Sequence, residues 1–252
     1  WSLKGTMRDA VEVQLADKHI VSSYDRDLES IQALVMKMGG MVETAISDSV
    51  RALSDRDEDL AAEVRARDRD IDAMEERINE EAARVLALRA PAASDLRTVL
   101  TVIKISASLE RIGDYAKNLA KRTSVLVQMH PIEGSGGAIR RMAREVEMML
   151  RDALDAYIQH DADMAGDVRS RDRDVDQMYN ALFRELLTHM MEDPRNITAC
   201  MHLHFIVKNI ERMGDLTTNI AEQVIYLVTG KVPDEDRPKG DTTPFAAESE
   251  IG

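Results

Sequence analysis

The chain has 252 residues, with 33 Lys and Arg against 46 Asp and Glu, a formal charge of −13. Gly and Pro number only 12 and 6, aromatics are 4%, and Met reaches 15; this balance suits long helices packed by flexible aliphatic side chains and excludes an all-β fold. The negative charge opposes non-specific binding to nucleic acid or anionic lipid, and the lone Cys200 excludes both an intramolecular disulfide and a Cys-based zinc ribbon.

Residues 1–18 have little period and read as a flexible N-terminal segment outside the fold, with Met7 a candidate native start. From about Asp25 the apolar residues Leu28, Ile31, Leu34, Val35, Met38, Val42, Ala45, Ile46 and Leu53 recur at three and four, the spacing of one helical face. Gly39 and Gly40 are expected to loosen its middle. A second helix is expected from about Asp57 to Ala90, ended by Pro91. Ser94 or Asp95 caps a third, which reaches about Val127 on Val102, Ile105, Leu109, Ile112, Ala116 and Leu119. His130-Pro131 and the run Gly134 to Gly137 then break the chain. Residues 231–252, with Pro233, Pro238 and Pro244 among acids, read as a disordered acidic tail. No run of about 20 apolar residues exists and no signal peptide is visible, so a cytoplasmic location is expected.

After the break the pattern starts again. Val64 to Met74 reads VRARDRDIDAM and Val168 to Met178 reads VRSRDRDVDQM, eight identities in eleven at an offset of 104. Leu109 to Ala120 (LERIGDYAKNLA) and Ile210 to Ala221 (IERMGDLTTNIA) agree at six of twelve, at an offset of 101. Unrelated segments agree at roughly one position in fifteen at ordinary residue usage, so two blocks in the same order imply an internal duplication. The expected fold is therefore all-α: two tandem three-helix repeats, residues 19–131 and 132–230, making six long helices.

Four carboxylate pairs stand at i, i+4: Asp68 with Asp72, Glu110 with Asp114, Asp172 with Asp176, and Glu211 with Asp215. Four helical steps bring the second group to within about 40° of the first, so each pair shares a face. Glu110 and Asp114 lie well around the helix from the apolar stripe of Ile105, Leu109, Ile112 and Ala116, with Asn118 continuing their line and Asn219 in the matching place, so the oxygens are expected to point away from the core. Like charges at this spacing weaken an isolated helix by about 0.2–0.5 kcal/mol per pair, which asks for a compensating cation. An all-oxygen set suits Mg²⁺, Ca²⁺, Mn²⁺ or carboxylate-bridged iron, whereas zinc is less natural without His or Cys. The plainer alternative is a solvated, salt-bridged surface, since Arg65, Arg67, Arg69, Arg111 and Arg212 flank the acids. Gly113 and Gly214, costly in mid-helix, call for close approach of something, either a neighbouring helix or a metal. His204, seven residues before Glu211, is a possible auxiliary ligand, although its counterpart in the first half is Ile103. Neither a Glu-x-x-His or His-Glu-x-x-His pattern nor a phosphate-loop signal is present.

The strings Pro91-Ala-Ala-Ser-Asp-Leu-Arg97, Glu110-Arg-Ile-Gly-Asp114-Tyr-Ala-Lys-Asn118 and Glu211-Arg-Met-Gly-Asp215 resemble the PhoU family of bacterial phosphate-transport regulators over roughly residues 20–230. One departure is Asp193-Pro194-Arg195 in the second half, so any capping or partner contact made by Asp95 and Arg97 does not carry over to it. The resemblance implies a non-enzymatic homodimer of two bundles, carrying a multinuclear metal cluster on each acidic surface, with iron favoured over Zn, Mn, Mg or Ca. It implies a negative regulator that links the ATPase subunit of the phosphate ABC transporter to the phosphate-sensing histidine kinase, peripheral to the inner membrane through those partners, with no direct nucleic acid. Two other readings stay open: a metal-independent helical adaptor, and a carboxylate-bridged metalloenzyme.

Overall fold

The computed structural model describes the backbone of residues 3–89 and 93–233 and the side chains of residues 26–88 and 95–233. Six helices follow one another: α1 (Leu3–Asp55), α2 (Glu58–Arg89), α3 (Ala93–Leu126), α4 (Ser135–Gln159), α5 (Ala162–Glu192) and α6 (Ile197–Thr229), with a 3-10 turn at Pro194–Asn196. No strand occurs among the described residues, in keeping with the all-α expectation. Helix α1 runs back to Leu3, through residues that the sequence reading set apart for want of an apolar period. The stop at Pro91 and most of the acidic tail, residues 234–252, lie outside the described residues.

The duplication extends to the turns. Arg56 and His160, 104 residues apart, both adopt left-handed backbone, with φ of 56° and 52°. The aspartate after each starts the next helix: Asp57 Oδ1 accepts from the amide of Leu60 at 2.9 Å, and Asp161 Oδ1 accepts from those of Asp163 and Met164 at 2.9 and 3.0 Å. Capping of this kind satisfies amides that the helix itself leaves unpaired. Arg56 also reaches across to the end of α3, where its Nη2 donates to the carbonyls of Leu126, Val127 and Met129.

Helices α2, α3, α6 and α5 lie side by side in that order; α1 rests on α2 and α3, α4 rests on α5 and α6, and α1 touches α4. One apolar core runs through both halves, from Ile31 and Val35 through Leu109 and Ile112 to Ile210 and Val224. The pair α3 and α6 is antiparallel, since Arg97 meets Leu227 while Arg122 meets His202. Gly39 does not loosen α1: a Cβ there would lie 2.4 Å from Leu154 Cδ1, so the glycine lets α4 cross closely.

Candidate functional site: two acidic grooves

Each half places its carboxylates in the groove between its second and third helices. In the first groove a Cβ on Gly113 would stand 3.1 Å from Ile71 Cδ1, so the glycine brings α2 against α3 and Asp68 and Asp72 towards Glu110 and Asp114. Asp68 is 4% exposed, and its Oδ2 accepts from Lys117 Nζ at 2.5 Å. The same ammonium reaches Asp114 Oδ1 at 3.3 Å. Burial raises the Glu110 carboxyl above its ordinary range, and Asp114, Glu75, Asp72 and Asp68 add to the shift in that order. Asp72 is raised by burial and by Asp68, with Lys117 opposing. The four acids thus share one electrostatic field, with Glu75 as a fifth member.

The second groove is drier. Asp172, Asp176 and Glu211 are 5%, 6% and 7% exposed, with Asn180 buried beside them, while Asp215 and Asn219 are half-buried. A Cβ on Gly214 would lie 3.3 Å from Val175 Cγ1 and 3.6 Å from Asp172 Oδ1. Both mid-helix glycines therefore serve a neighbouring helix. Lys208 Nζ donates to Glu211 Oε1 at 3.0 Å and stands 4.6 Å from the centre of the Tyr179 ring. The other oxygen, Glu211 Oε2, is buried with no hydrogen-bond partner among the described residues. Burial raises the Glu211 carboxyl, and Lys208 pulls it back. Glu110 and Asp114, whose oxygens are expected to point away from the core, are half-buried, whereas Asp68, Asp172, Asp176 and Glu211 are enclosed by the walls of the grooves.

The remaining sequence candidates scatter. Asn118 is exposed on α3, outside the first groove's buried set. His204 packs among Tyr179, Phe183 and Phe205, at ring-centre distances of 6.2, 5.3 and 5.9 Å, and lies a turn before Lys208. Burial lowers its pKa, followed by the charge of Lys208. Asp95 sits in the first turn of α3. Arg97 reaches the far end of the chain: its Nη1 donates to the carbonyl of Leu227 at 3.4 Å and its guanidinium stands 5.7 Å from the Tyr226 ring, at the point where Gly230, φ +73°, ends α6. The corresponding Arg195 instead forks onto Asp193, which it holds below the usual carboxylate range.

Two residues escaped sequence reasoning, Lys117 and Lys208. They are not equivalents: at the offset of 101, Lys117 matches Thr218 and Lys208 matches Ala107. A comparison of the halves discards them, although each stands three residues from an acid it pairs with, a spacing visible in the sequence. Each groove therefore contains its own ammonium. The donor set of carboxylate oxygens fits a hard or carboxylate-bridged cation, and the orphaned Oε2 of Glu211 is an acceptor that such a cation would satisfy. As placed, no three acids, histidines or cysteines among the described residues are gathered closely enough to hold an ion, so the carboxylates would have to turn inward around one.

Comparison with known proteins agrees with this architecture. The PhoU domain family matches residues 35–123 and 139–224, one copy for each half. A relative from Caulobacter vibrioides (strain NA1000 / CB15N), named phosphate-specific transport system accessory protein PhoU homolog, is 46% identical over 224 residues, covering 89% of this chain and 97% of its own. One of the same name from Rhizobium meliloti (strain 1021) is 44% identical, covering 91% and 97%. The crystal structure of PhoU from Pseudomonas aeruginosa superposes with a TM-score of 0.80 at 42% identity, covering 82% of this chain and all of that one. The phosphate transport system regulatory protein PhoU from Streptococcus pneumoniae gives 0.78 at 29% identity, over 84% of this chain and all of that one. With both halves matched in sequence and the six helices matched in space, the chain belongs to the PhoU family.

Proposed function

We propose that the chain is a negative regulator of phosphate uptake and of the phosphate-starvation response. It links the ATPase subunit of the phosphate ABC transporter to the sensor histidine kinase, without enzymatic turnover. The observation that carries this reading is similarity at 46% identity along nearly the whole length of a relative named as a phosphate-specific transport accessory protein. No helix among the described residues is long and apolar enough to cross a membrane, which suits a homodimer recruited to the inner membrane from the cytoplasm through its partners. Asp68, Asp72, Glu110 and Asp114 in one groove, and Asp172, Asp176, Glu211 and Asp215 in the other, would hold cations, iron first. When bound, a cation supplies positive charge where four carboxylates meet, tying α2 to α3 and α5 to α6. Lys117 and Lys208 favour a second reading, a metal-independent adaptor, since they already supply an ammonium to each groove.

Deleting the gene tests the regulatory reading. Phosphate-starvation genes are expected to be transcribed at high phosphate in the deletion strain and to be silenced again by the intact gene. Unchanged transcription at high phosphate overturns it.

A further inference from the structure

Where α1 crosses α4, a polar cavity of about 320 Å³ is lined by Arg51 from the first half and by Arg140 and Arg144 from the second. Arg51 is committed to Asp48, at 2.9 Å. Arg140 and Arg144 are exposed, one helical turn apart on α4, and make no ion pair among the described residues. Like charges at that spacing repel along the helix, so the pair asks for an anion just as the carboxylate pairs ask for a cation. Duplication does not account for them: at the offset of 104, Arg140 and Arg144 stand where the first half has Met36 and Gly40.

The rest of the lining narrows the ligand. Ser47 and Ser54 add hydroxyl donors, while Asp55 and Glu147 temper the charge and keep the cavity from being a bare positive patch. Burial, the largest effect on Glu147, raises its carboxyl, and Arg144 and Arg151 oppose that rise. Guanidinium forks match the oxygens of phosphate two at a time, and at about 30 Å³ per water the space equals about ten waters, room for a small tetrahedral anion with part of its hydration shell.

We propose that the α1–α4 seam binds inorganic phosphate, so that the regulator reads the phosphate level directly. This rests on the regulatory reading above and deepens it. An anion held between the Ser47 and Ser54 hydroxyls of α1 and the pair Arg140 and Arg144 of α4 bridges the two repeats, so its binding favours one packing of the halves over another.

Equilibrium dialysis of the full chain against radiolabelled orthophosphate, in chelator-treated buffer, tests the proposal. Saturable binding of one phosphate per chain is expected, and R140Q with R144Q should weaken it at least about tenfold, since two charge-assisted contacts are lost. Circular dichroism and the melting midpoint of the double variant should stay unchanged, because both side chains are exposed. Any of three results overturns the proposal: no saturable binding at millimolar phosphate, binding insensitive to the double substitution, or Arg140- and Arg144-dependent binding only to vesicles of anionic phospholipid. Each of those leaves the deletion phenotype untouched, so failure here is distinguishable from failure of the regulatory reading.

Discussion

Leu109→Ala is expected to lower the unfolding free energy by about 2–5 kcal/mol, the range for deleting a fully enclosed leucine where the walls relax only in part. Leu109 is 0% exposed on α3, the helix that packs against α1, α2 and α6, so the cavity would open in the core shared by both halves. Its neighbour along the chain, Glu110, faces the first acidic groove, and the loss of packing would loosen the wall that positions that acid. Leu88→Ala supplies the contrast. That residue is 71% exposed at the end of α2, and its truncation should stay within about 0.5 kcal/mol of wild type. Urea denaturation of the two variants decides the matter; equal effects would mean that α3 does not lie at the centre of the molecule.

Lys208→Ala should cost about 3–5 kcal/mol at neutral pH in chelator-treated protein, the range for stranding one member of a buried pair. The lysine side chain is 28% exposed, which places the expectation at the lower end. Glu211 would be left 7% exposed, with neither oxygen paired to an ammonium. Glu211→Gln removes the charge rather than its partner, and should be neutral or stabilising at pH 7. The sign of the pH dependence follows from burial, which raises the folded pKa of Glu211 above its ordinary value of 4.5. Between 4.5 and the raised value the folded state holds more protons than the unfolded one, so stability falls as pH rises through that window. The advantage of Glu211→Gln over wild type should therefore be full above the raised pKa and vanish below about 4.5, where both states are protonated. Thermal melts from pH 4 to pH 8 check this, and a wild type that gains on the glutamine variant with rising pH would contradict it.

Much of this architecture was legible because the chain repeats itself. The strings around Asp68 and Asp172 and around Glu110 and Glu211 pointed to helices α2, α3, α5 and α6 and to the shared face of each carboxylate pair, since spacing alone fixes angle around a helix. Depth was not legible. Whether Asp172 is solvated or 5% exposed depends on how near α6 comes, and that is set by Gly214 against Val175 on another helix. Arg97 shows the same limit from the other side: it lies 130 residues from the carbonyl it caps, and no local pattern joins them. Lys117 and Lys208 were hidden for a different reason, because each half places its ammonium on a different turn and the repeat comparison treats both as noise. The early turns of α1 lack the apolar period by which helices are read.

The grooves hold buried acids whose charge burial disfavours, and the glycines that close them, Gly113 and Gly214, are themselves costly in mid-helix. A cation bound in each groove, as proposed above, would offset the cost of burying these acids. Elemental analysis of the purified chain, stripped and then reconstituted separately with Fe, Mn, Mg, Ca and Zn, tests that claim most directly. Stoichiometric iron or another of these metals, lost when Asp172, Asp176, Glu211 and Asp215 become Asn or Gln together with Asp68, Asp72, Glu110 and Asp114, is the predicted result. No metal retained under any of these conditions, or retention unchanged in the neutralised variant, would contradict it and leave Lys117 and Lys208 as the cations of the two grooves.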